Sequence, residues 1–161
     1  MKVRVLGAYG GSSPWHRQTS FLLDGTVALD AGALTQSLTL DEQSRVRSIL
    51  VTHSHLDHVA SLPFLVENVF GRTEGPIEII GPRDVTTLLQ GHLFNDAIWP
   101  DFTRIPTHLL PAVTFRTVEE GTPFRVNGLH GLAVAVSHVV PTFGYLLWDE
   151  SACVVFSGDT G

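Results

Sequence analysis

The stretch His53-Ser54-His55-Leu56-Asp57-His58 decides how this chain of 161 residues is interpreted, because it places four metal-binding side chains within six positions. A short apolar segment, 48–52 (SILVT), predicts a strand before it, and apolar spacing over 59–70 predicts a helix after it. That helix should begin close to Ser61, since Pro63 is tolerated only in a first turn. The cluster therefore lies partly buried between a strand and a helix, where polar side chains need partners.

The spacing within this cluster fits two metal ions. Residues two apart in an extended segment point to the same side, so His53 and His55 can bind one ion, with Ser54 turned away. Asp57 and His58 follow where the chain turns into the helix and can reach a second ion nearby. Nitrogen and carboxylate ligands without cysteine suit zinc, and also iron or manganese. We predict two divalent metal ions, with zinc preferred over manganese or iron, rather than a solvated turn that collects polar residues by chance.

Three residues that follow other predicted strands are candidates for the same site. His138 comes after the alternating run 132–136, and Asp159 comes after the apolar run 152–156. Each alone is more simply a structural histidine or a turn aspartate. Beside the cluster, His138 would complete the first metal shell and Asp159 would bridge two ions. Asp30 fits two roles equally well, turn formation and holding a ligand histidine by its other nitrogen. No such spacing assigns the remaining histidines to the metal site; they are His16, His92, His108 and His130.

Composition indicates one globular domain spanning 1–161. The chain is 43% hydrophobic, which is enough for a packed core. Its formal net charge of -6 argues against a basic surface for nucleic acid. Two divalent ions would add +4 to that -6 and leave -2, with the positive charge concentrated where an anionic phosphate ester is needed.

Cysteine usage and hydropathy bear on the compartment. Cys153 is the only cysteine, so an internal disulfide is excluded and the reducing cytoplasm is the expected location. The first ten residues lack the apolar block of a signal peptide. The longest uncharged stretch, 126–148, contains two histidines and a proline and alternates like strands, so we expect no membrane-spanning segment.

The order of predicted elements indicates a layered α/β domain with a mixed sheet. Helices are predicted over 40–46, 59–70 and 83–95, and 99–111 is predicted to be a connection rich in proline. Strands are predicted over 2–7, 20–24, 26–30, 48–52 and 77–80, and in five successive segments from Thr114 onward.

Taken together, these motifs resemble the metallo-β-lactamase superfamily. The hallmarks are HxHxDH after a strand, a later histidine and an aspartate in a strand-end turn, here His53, His55, Asp57, His58, His138 and Asp159, with Asp30 as the early aspartate. The resemblance implies an α/β fold of the metallo-β-lactamase type, an αββα sandwich. It also implies a first metal on His53, His55 and His138. The second would be held by Asp57 and His58, with Asp159 between the two ions.

The phosphodiesterase branch is the most similar part of this superfamily. His55 disfavours the flavodiiron oxidoreductases, which usually carry glutamate there. The segment 137–145 (SHVVPTFGY) resembles the branch that includes ribonuclease Z and the class II cyclic-nucleotide phosphodiesterases. The long connection 94–102 and the acidic balance favour the cyclic-nucleotide group.

The superfamily pattern continues beyond the bridging aspartate with more strands, more helices and a last histidine for the second metal. Because the sequence stops at Gly161, we expect it to be the N-terminal portion of the domain. Such a portion would leave an apolar sheet face uncovered, which predicts self-association into a homo-oligomer or poor solubility.

The sequence thus predicts a metal-dependent hydrolase that cleaves a small phosphodiester, with cyclic nucleotides preferred, through a metal-bound hydroxide. Asp57 is the candidate catalytic proton acceptor. The nearest alternative is a ribonuclease Z-like endonuclease that processes tRNA 3′ ends. Among the alternatives, only this one requires nucleic acid as a partner. The sequence shows no recognisable basic surface for RNA. Thioester or lactam hydrolysis, or a non-catalytic metal-binding domain, are the others.

Overall fold

The computed structural model describes residues 1–161 and contains twelve strands and five helices. The strands are β1 Val3–Gly7, β2 Ser20–Leu23, β3 Val27–Leu29, β4 Ser48–Leu50, β5 Ile77–Gly81, β6 Pro106–Thr107, β7 Leu110–Pro111, β8 Val113–Thr117, β9 Phe124–Val126, β10 Leu129–Val136, β11 Thr142–Trp148 and β12 Cys153–Phe156. The helices are α1 Leu34–Ser37, α2 Leu40–Gln43, α3 Leu56–Val59, α4 Leu62–Val69 and α5 Arg83–His92.

Two sheets form the body of the fold. The first has six strands in the order β1-β2-β3-β4-β5-β8, with antiparallel pairing from β1 to β3 and parallel pairing from β3 to β8. The second has four antiparallel strands in the order β12-β11-β10-β9. The short strands β6 and β7 pair only with each other. The first sheet is therefore the mixed sheet that the sequence predicts.

The central strands β3 and β4 of the first sheet are buried on both faces, as parallel strands require. One face packs against the helices in a core of 21 buried residues that includes Ile49, Leu65 and Val85. The other face packs against the second sheet in a core of 11 buried residues, in which Leu50 and Tyr145 come from opposite sheets. Alternate residues of β4 thus enter different cores. The layers run helices, mixed sheet, antiparallel sheet.

The outer face of the second sheet is partly open to solvent. Val134 is 37% exposed and Val155 is 69% exposed, and both project from the side that faces away from the first sheet. Three layers of the predicted αββα sandwich are therefore present, and this face has no helix against it. The expected self-association through it stays a prediction. The structure contains no helix with the length and apolar character needed to cross a membrane.

Most predicted elements occur with shifted ends. The predicted helix over 59–70 corresponds to α4, which has Ser61 as its N-cap and a proline in its first turn, as expected; the one-turn helix α3 before it was not predicted. The predicted helix over 40–46 ends at Gln43. The predicted helix over 83–95 ends at His92, and the Asn95 side chain caps it by donating from Nδ2 to the Gly91 carbonyl. The connection over 99–111 contains the β6–β7 hairpin, and the one-turn helix α1 was not predicted.

The first turn of α2 provides a pH-dependent element of stability. Thr39 and Glu42 form a capping box, and Arg4 donates to the Glu42 carboxylate at 2.6 Å. The hydrogen bonds from Thr39, followed by that from Arg4, lower the pKa of Glu42 from 4.5 to about 2. Because the folded state holds the ionised form more strongly, its contribution is complete above pH 4.5 and is lost as the pH falls toward about 2.

We therefore expect Glu42→Gln to lower the melting temperature at pH 7 and to match the parent protein more closely as the pH falls below 4.5. Thermal unfolding followed by circular dichroism at several pH values measures this. Asp41→Asn, a neighbouring substitution in the same turn, is the control. A melting-temperature difference for Glu42→Gln that is constant with pH would contradict the prediction.

Candidate metal centre

Two neighbouring parallel strands deliver the first polar residues of the site. β3 leads into Asp30 and β4 leads into Thr52 and His53, and the carboxyl ends of parallel strands meet at one edge of the sheet. The Asp30 amide donates to the Leu50 carbonyl at 2.8 Å, and the Thr52 amide donates to Asp30 Oδ1 at 2.8 Å. Asp30 adopts a positive φ of 55°, which turns the chain away from the strand and leaves its carboxylate at the edge.

The second sheet is fixed to this edge by two hydrogen bonds. The Tyr145 hydroxyl donates to the Val51 carbonyl at 2.8 Å, and the Phe143 amide donates to the Thr52 carbonyl at 3.1 Å. Tyr145 is fully buried. Because β10 pairs with β11, these bonds bring His138, just beyond the end of β10, beside the histidine cluster.

Asp159 is placed by a glycine turn. Gly158 has a φ of +64°, and a Cβ on it would lie 3.1 Å from the Thr52 side chain, so the turn passes too close to Thr52 for a larger residue. The Gly161 amide donates to the Ser137 carbonyl at 3.1 Å and ties this turn to the segment that carries His138.

Three imidazoles converge on one point. His53, His55 and His138 each offer one ring nitrogen, and the three nitrogens lie within 4.8 Å of one another. His53 Nε2 is 3.0 Å from His55 Nδ1, and His138 Nε2 is 3.3 Å from the same His55 atom. The structure therefore groups the three residues that were predicted to share one metal ion.

A second group lies next to the first and also contains His53. His53, His58 and Asp159 offer ligand atoms within 4.8 Å of one another. His58 Nε2 lies 3.4 Å from Asp159 Oδ1 and 3.5 Å from Asp57 Oδ2. Asp57 and Asp159 are the accessible members, since their side chains are 22% and 47% exposed, whereas His58 is fully buried. The predicted set Asp57, His58 and Asp159 is thus brought together, with His53 between the two groups.

Asp30 holds His58 from the opposite side of the ring. Its Oδ2 lies 2.7 Å from His58 Nδ1, and both side chains have no solvent exposure. Burial raises the pKa of Asp30, against hydrogen bonds from His58 and Thr52. Burial also opposes charge on His58, but the hydrogen bond and charge of Asp30 outweigh it and raise the pKa of His58. Asp30 therefore combines a turn conformation with a direct contact to a candidate ligand.

His53 is suited to act as a neutral ligand. Burial, together with the adjacent His58 and His55, lowers the pKa of His53 from 6.5 to about 4. At neutral pH its imidazole is therefore uncharged and has a free nitrogen lone pair, which is the form that binds metal.

The polar atoms of the site fit divalent metal ions. His58 Nε2 is buried and has no hydrogen-bond partner, although its Nδ1 is bonded to Asp30. A buried nitrogen left unpaired is costly unless something binds it, and here it faces two carboxylates. Three imidazole nitrogens on one side, and nitrogen with carboxylate oxygen on the other, match the donor sets of zinc and related ions.

Sequence reasoning missed Thr52 as a member of the site. Its hydroxyl donates to Asp30, and it lies 3.0 Å from His53 Nδ1 and 3.4 Å from His58 Nδ1. Its position immediately before the cluster is the only signal that could have found it. The four histidines that no spacing recruited lie outside both groups: His16 stacks on Tyr9, His130 stacks on Trp148, His92 ends α5 and His108 is exposed.

Three features of this structure define the metallo-β-lactamase fold. They are helices on a mixed sheet, a second sheet behind it, and a histidine–aspartate cluster where the strands end. The chain belongs to the family described as beta-lactamase superfamily domain, whose model matches residues 19–161. This fold implies divalent metal ions, in agreement with the two side-chain groups.

Relatives and solved structures agree with this membership. Ribonuclease Z of Bacillus licheniformis is 32% identical over 125 residues, covering 75% of this chain and 38% of that protein. The 3′,5′-cyclic-nucleotide phosphodiesterase 1 of Saccharomyces cerevisiae is 28% identical over 139 residues, covering 79% and 37%. The structure of unliganded yeast PDE1 superposes with a TM-score of 0.76 at 18% identity, covering 98% of this chain and 64% of that one.

The chain spans 37% to 50% of the length of the first three curated relatives that it matches. These relatives carry names from both the ribonuclease and the cyclic-nucleotide phosphodiesterase groups. The predicted resemblance to the phosphodiesterase branch is confirmed at this level.

Proposed function

We propose that the protein is a metal-dependent phosphodiesterase, with cyclic nucleotides as its preferred substrates. The observation that carries the proposal is the convergence of two ligand groups that share His53 at a solvent-accessible edge of the fold. Relatives named as ribonuclease Z and cyclic-nucleotide phosphodiesterase support phosphodiester chemistry. The net charge of -6 favours a small substrate over RNA.

Most residues of the site would bind metal ions, and one of them would also take part in the reaction. His53, His55 and His138 would hold one divalent ion, and Asp57, His58 and Asp159 would hold the other, with zinc as our preferred metal. Such ions lower the pKa of a water molecule and stabilise negative charge on phosphoryl oxygens. Asp57, which is partly exposed beside His58, would accept the proton of the attacking water at Oδ2. Asp30 and Thr52 keep the His58 ring in position from behind.

Hydrolysis of a chromogenic diester tests this proposal. The protein, stripped of metal and then reloaded with zinc or manganese, should bind two equivalents and cleave bis(p-nitrophenyl) phosphate. Chelation followed by dialysis should abolish that turnover, and added metal should restore it. Cleavage of a thioester or lactam but no diester would overturn the assignment, as would two bound equivalents with no hydrolysis.

A ribonuclease Z-like activity is the second candidate, because a ribonuclease Z is 32% identical to this chain. Comparing cyclic AMP with a tRNA precursor, each under single-turnover conditions with the metal-loaded protein, separates the two. Cleavage of the precursor 3′ of the acceptor stem, with cyclic AMP left intact, would favour the endonuclease.

A further inference from the structure

The tip of the loop between β1 and β2 presents an indole ring to solvent. Trp15 is 90% exposed, the largest exposed fraction among the large hydrophobic side chains. An indole in water does not contribute the free energy that burial of its large apolar surface would give. The exposed ring is therefore available to contact a ligand.

The turn that carries Trp15 is closed by hydrogen bonds. Ser13 and His16 exchange backbone hydrogen bonds of 3.0 and 3.2 Å, and Pro14 fixes the backbone between them. The Ser13 hydroxyl also binds His16 Nδ1 at 2.8 Å and accepts from the Trp15 amide at 3.3 Å. The His16 ring is in turn stacked on Tyr9, with centroids 4.5 Å apart. The indole is therefore held outward by a structured turn.

This loop is attached to the metal centre. A Cβ on Gly10 would lie 3.5 Å from Asp57 Oδ2, so the loop backbone passes directly beside that carboxylate. At its other end, Gln18 packs against Gly32, whose missing side chain leaves room for the Asp57 carbonyl. Both ends of the loop thus contact the neighbourhood of Asp57, and Trp15 lies at the tip between them.

We propose that Trp15 is a stacking platform for the nucleobase of a nucleotide whose phosphate lies at the metal centre. A flat, exposed indole is the surface on which bases stack, and such stacking does not depend on the identity of the base. Arg17, whose guanidinium donates to Ser37 Oγ at 3.0 Å, brings a positive charge to the shallow groove that it shares with Tyr9 and Trp15. The inference rests on the proposed phosphodiesterase function for its substrate class and identifies the group beside the reacting phosphate.

Nucleotide binding tests the platform without any turnover. Adenosine 5′-monophosphate should quench the indole fluorescence of the protein, and ribose 5-phosphate, which has the phosphate but no base, should quench far less. Trp15→Ala should bind adenosine 5′-monophosphate about ten-fold more weakly in calorimetry, as expected for the loss of one base–aromatic stack. Trp15→Phe should remove the quenching but keep the dissociation constant within about three-fold, because a flat ring remains.

Leu109→Ala, which truncates another exposed apolar side chain, is the matched control and should bind as the parent does. Equal affinity of the parent and Trp15→Ala for adenosine 5′-monophosphate would overturn the proposal, as would equal quenching by ribose 5-phosphate. Binding of the dinucleotide ApA shows which substrate uses the platform. Tighter binding of ApA than of the mononucleotide would indicate an RNA end, and equal binding would indicate a mononucleotide. Either result supports base stacking on Trp15. This experiment measures binding and not hydrolysis. Its result can therefore be interpreted even if the phosphodiesterase assay fails.

Discussion

Replacing His53 by alanine is expected to reduce bound metal from two equivalents to about one and to lower diester turnover by about a thousandfold. His53 offers one ring nitrogen to the three-histidine group, so its loss leaves only His55 and His138 to hold the first ion. Ions in a two-metal site contribute several kcal/mol of transition-state stabilisation, and about 4 kcal/mol corresponds to a factor of about a thousand in rate.

Comparison with two other histidines makes the His53 prediction specific. His138→Ala should lose the same single equivalent, because His138 belongs to the same three-histidine group. His92→Ala, at the exposed end of α5, should keep both. Elemental analysis of each variant after reloading measures the metal, and the chromogenic diester measures the rate.

Since His53 is fully buried, the alanine variant could be compromised in folding, so His53→Gln is compared with it. Glutamine occupies similar space without an imidazole nitrogen. Thermal unfolding of both variants without metal shows whether the fold is intact. Two equivalents of metal in a folded His53→Gln protein would show that His53 is not a metal ligand.

The sequence predicts the strands and the candidate residues well, because both depend on local patterns. Alternation identifies β10 and β11 without any knowledge of their partners. The cluster at 53–58 is recognised by spacing alone. His138 and Asp159 become candidates only because that cluster is present, since a histidine or aspartate after a strand has many structural uses.

Long-range pairing and contacts were not predictable from local pattern. β8 pairs with β5 although α5 and the β6–β7 hairpin separate them in the chain, and no short motif encodes that choice. The bond from Tyr145 to the Val51 carbonyl joins residues 94 positions apart. Four-residue helices such as α1 show no full period, so pattern reasoning does not detect them.

The buried pair of Asp30 and His58 contributes both to the metal centre and to the stability of the fold. Asp30 accepts hydrogen bonds from the Thr52 amide, the Thr52 hydroxyl and His58, and none of these groups has access to water. One carboxylate therefore joins the end of β3 to the end of β4 and to α3. A substitution there removes acceptors that no other side chain can supply.

We expect Asp30→Ala to lower the free energy of unfolding by roughly 3–5 kcal/mol, because it breaks a buried ionic pair and leaves its partners unsatisfied. Urea unfolding of the metal-free protein measures this. Asp24→Asn is the control, since Asp24 also follows a strand with a positive φ, of 46°, but is exposed. Its effect should stay within about 0.5 kcal/mol. A similar loss for both variants would show that burial of the pair is not the cause.

Asp30→Asn separates the structural role of Asp30 from its effect on the ligand. The Thr52 amide donates to Oδ1, so the asparagine oxygen should stay there and its NH₂ group should face His58 Nδ1. His58 Nδ1 would then have to accept a hydrogen bond, which places the imidazole proton on Nε2, the nitrogen that faces Asp57 and Asp159. We expect a folded protein whose second metal binds about 10- to 100-fold more weakly, as is usual when such a supporting contact is lost. Zinc competition against a chromogenic chelator measures this, and an unchanged affinity would show that Asp30 does not select the ligating form of His58.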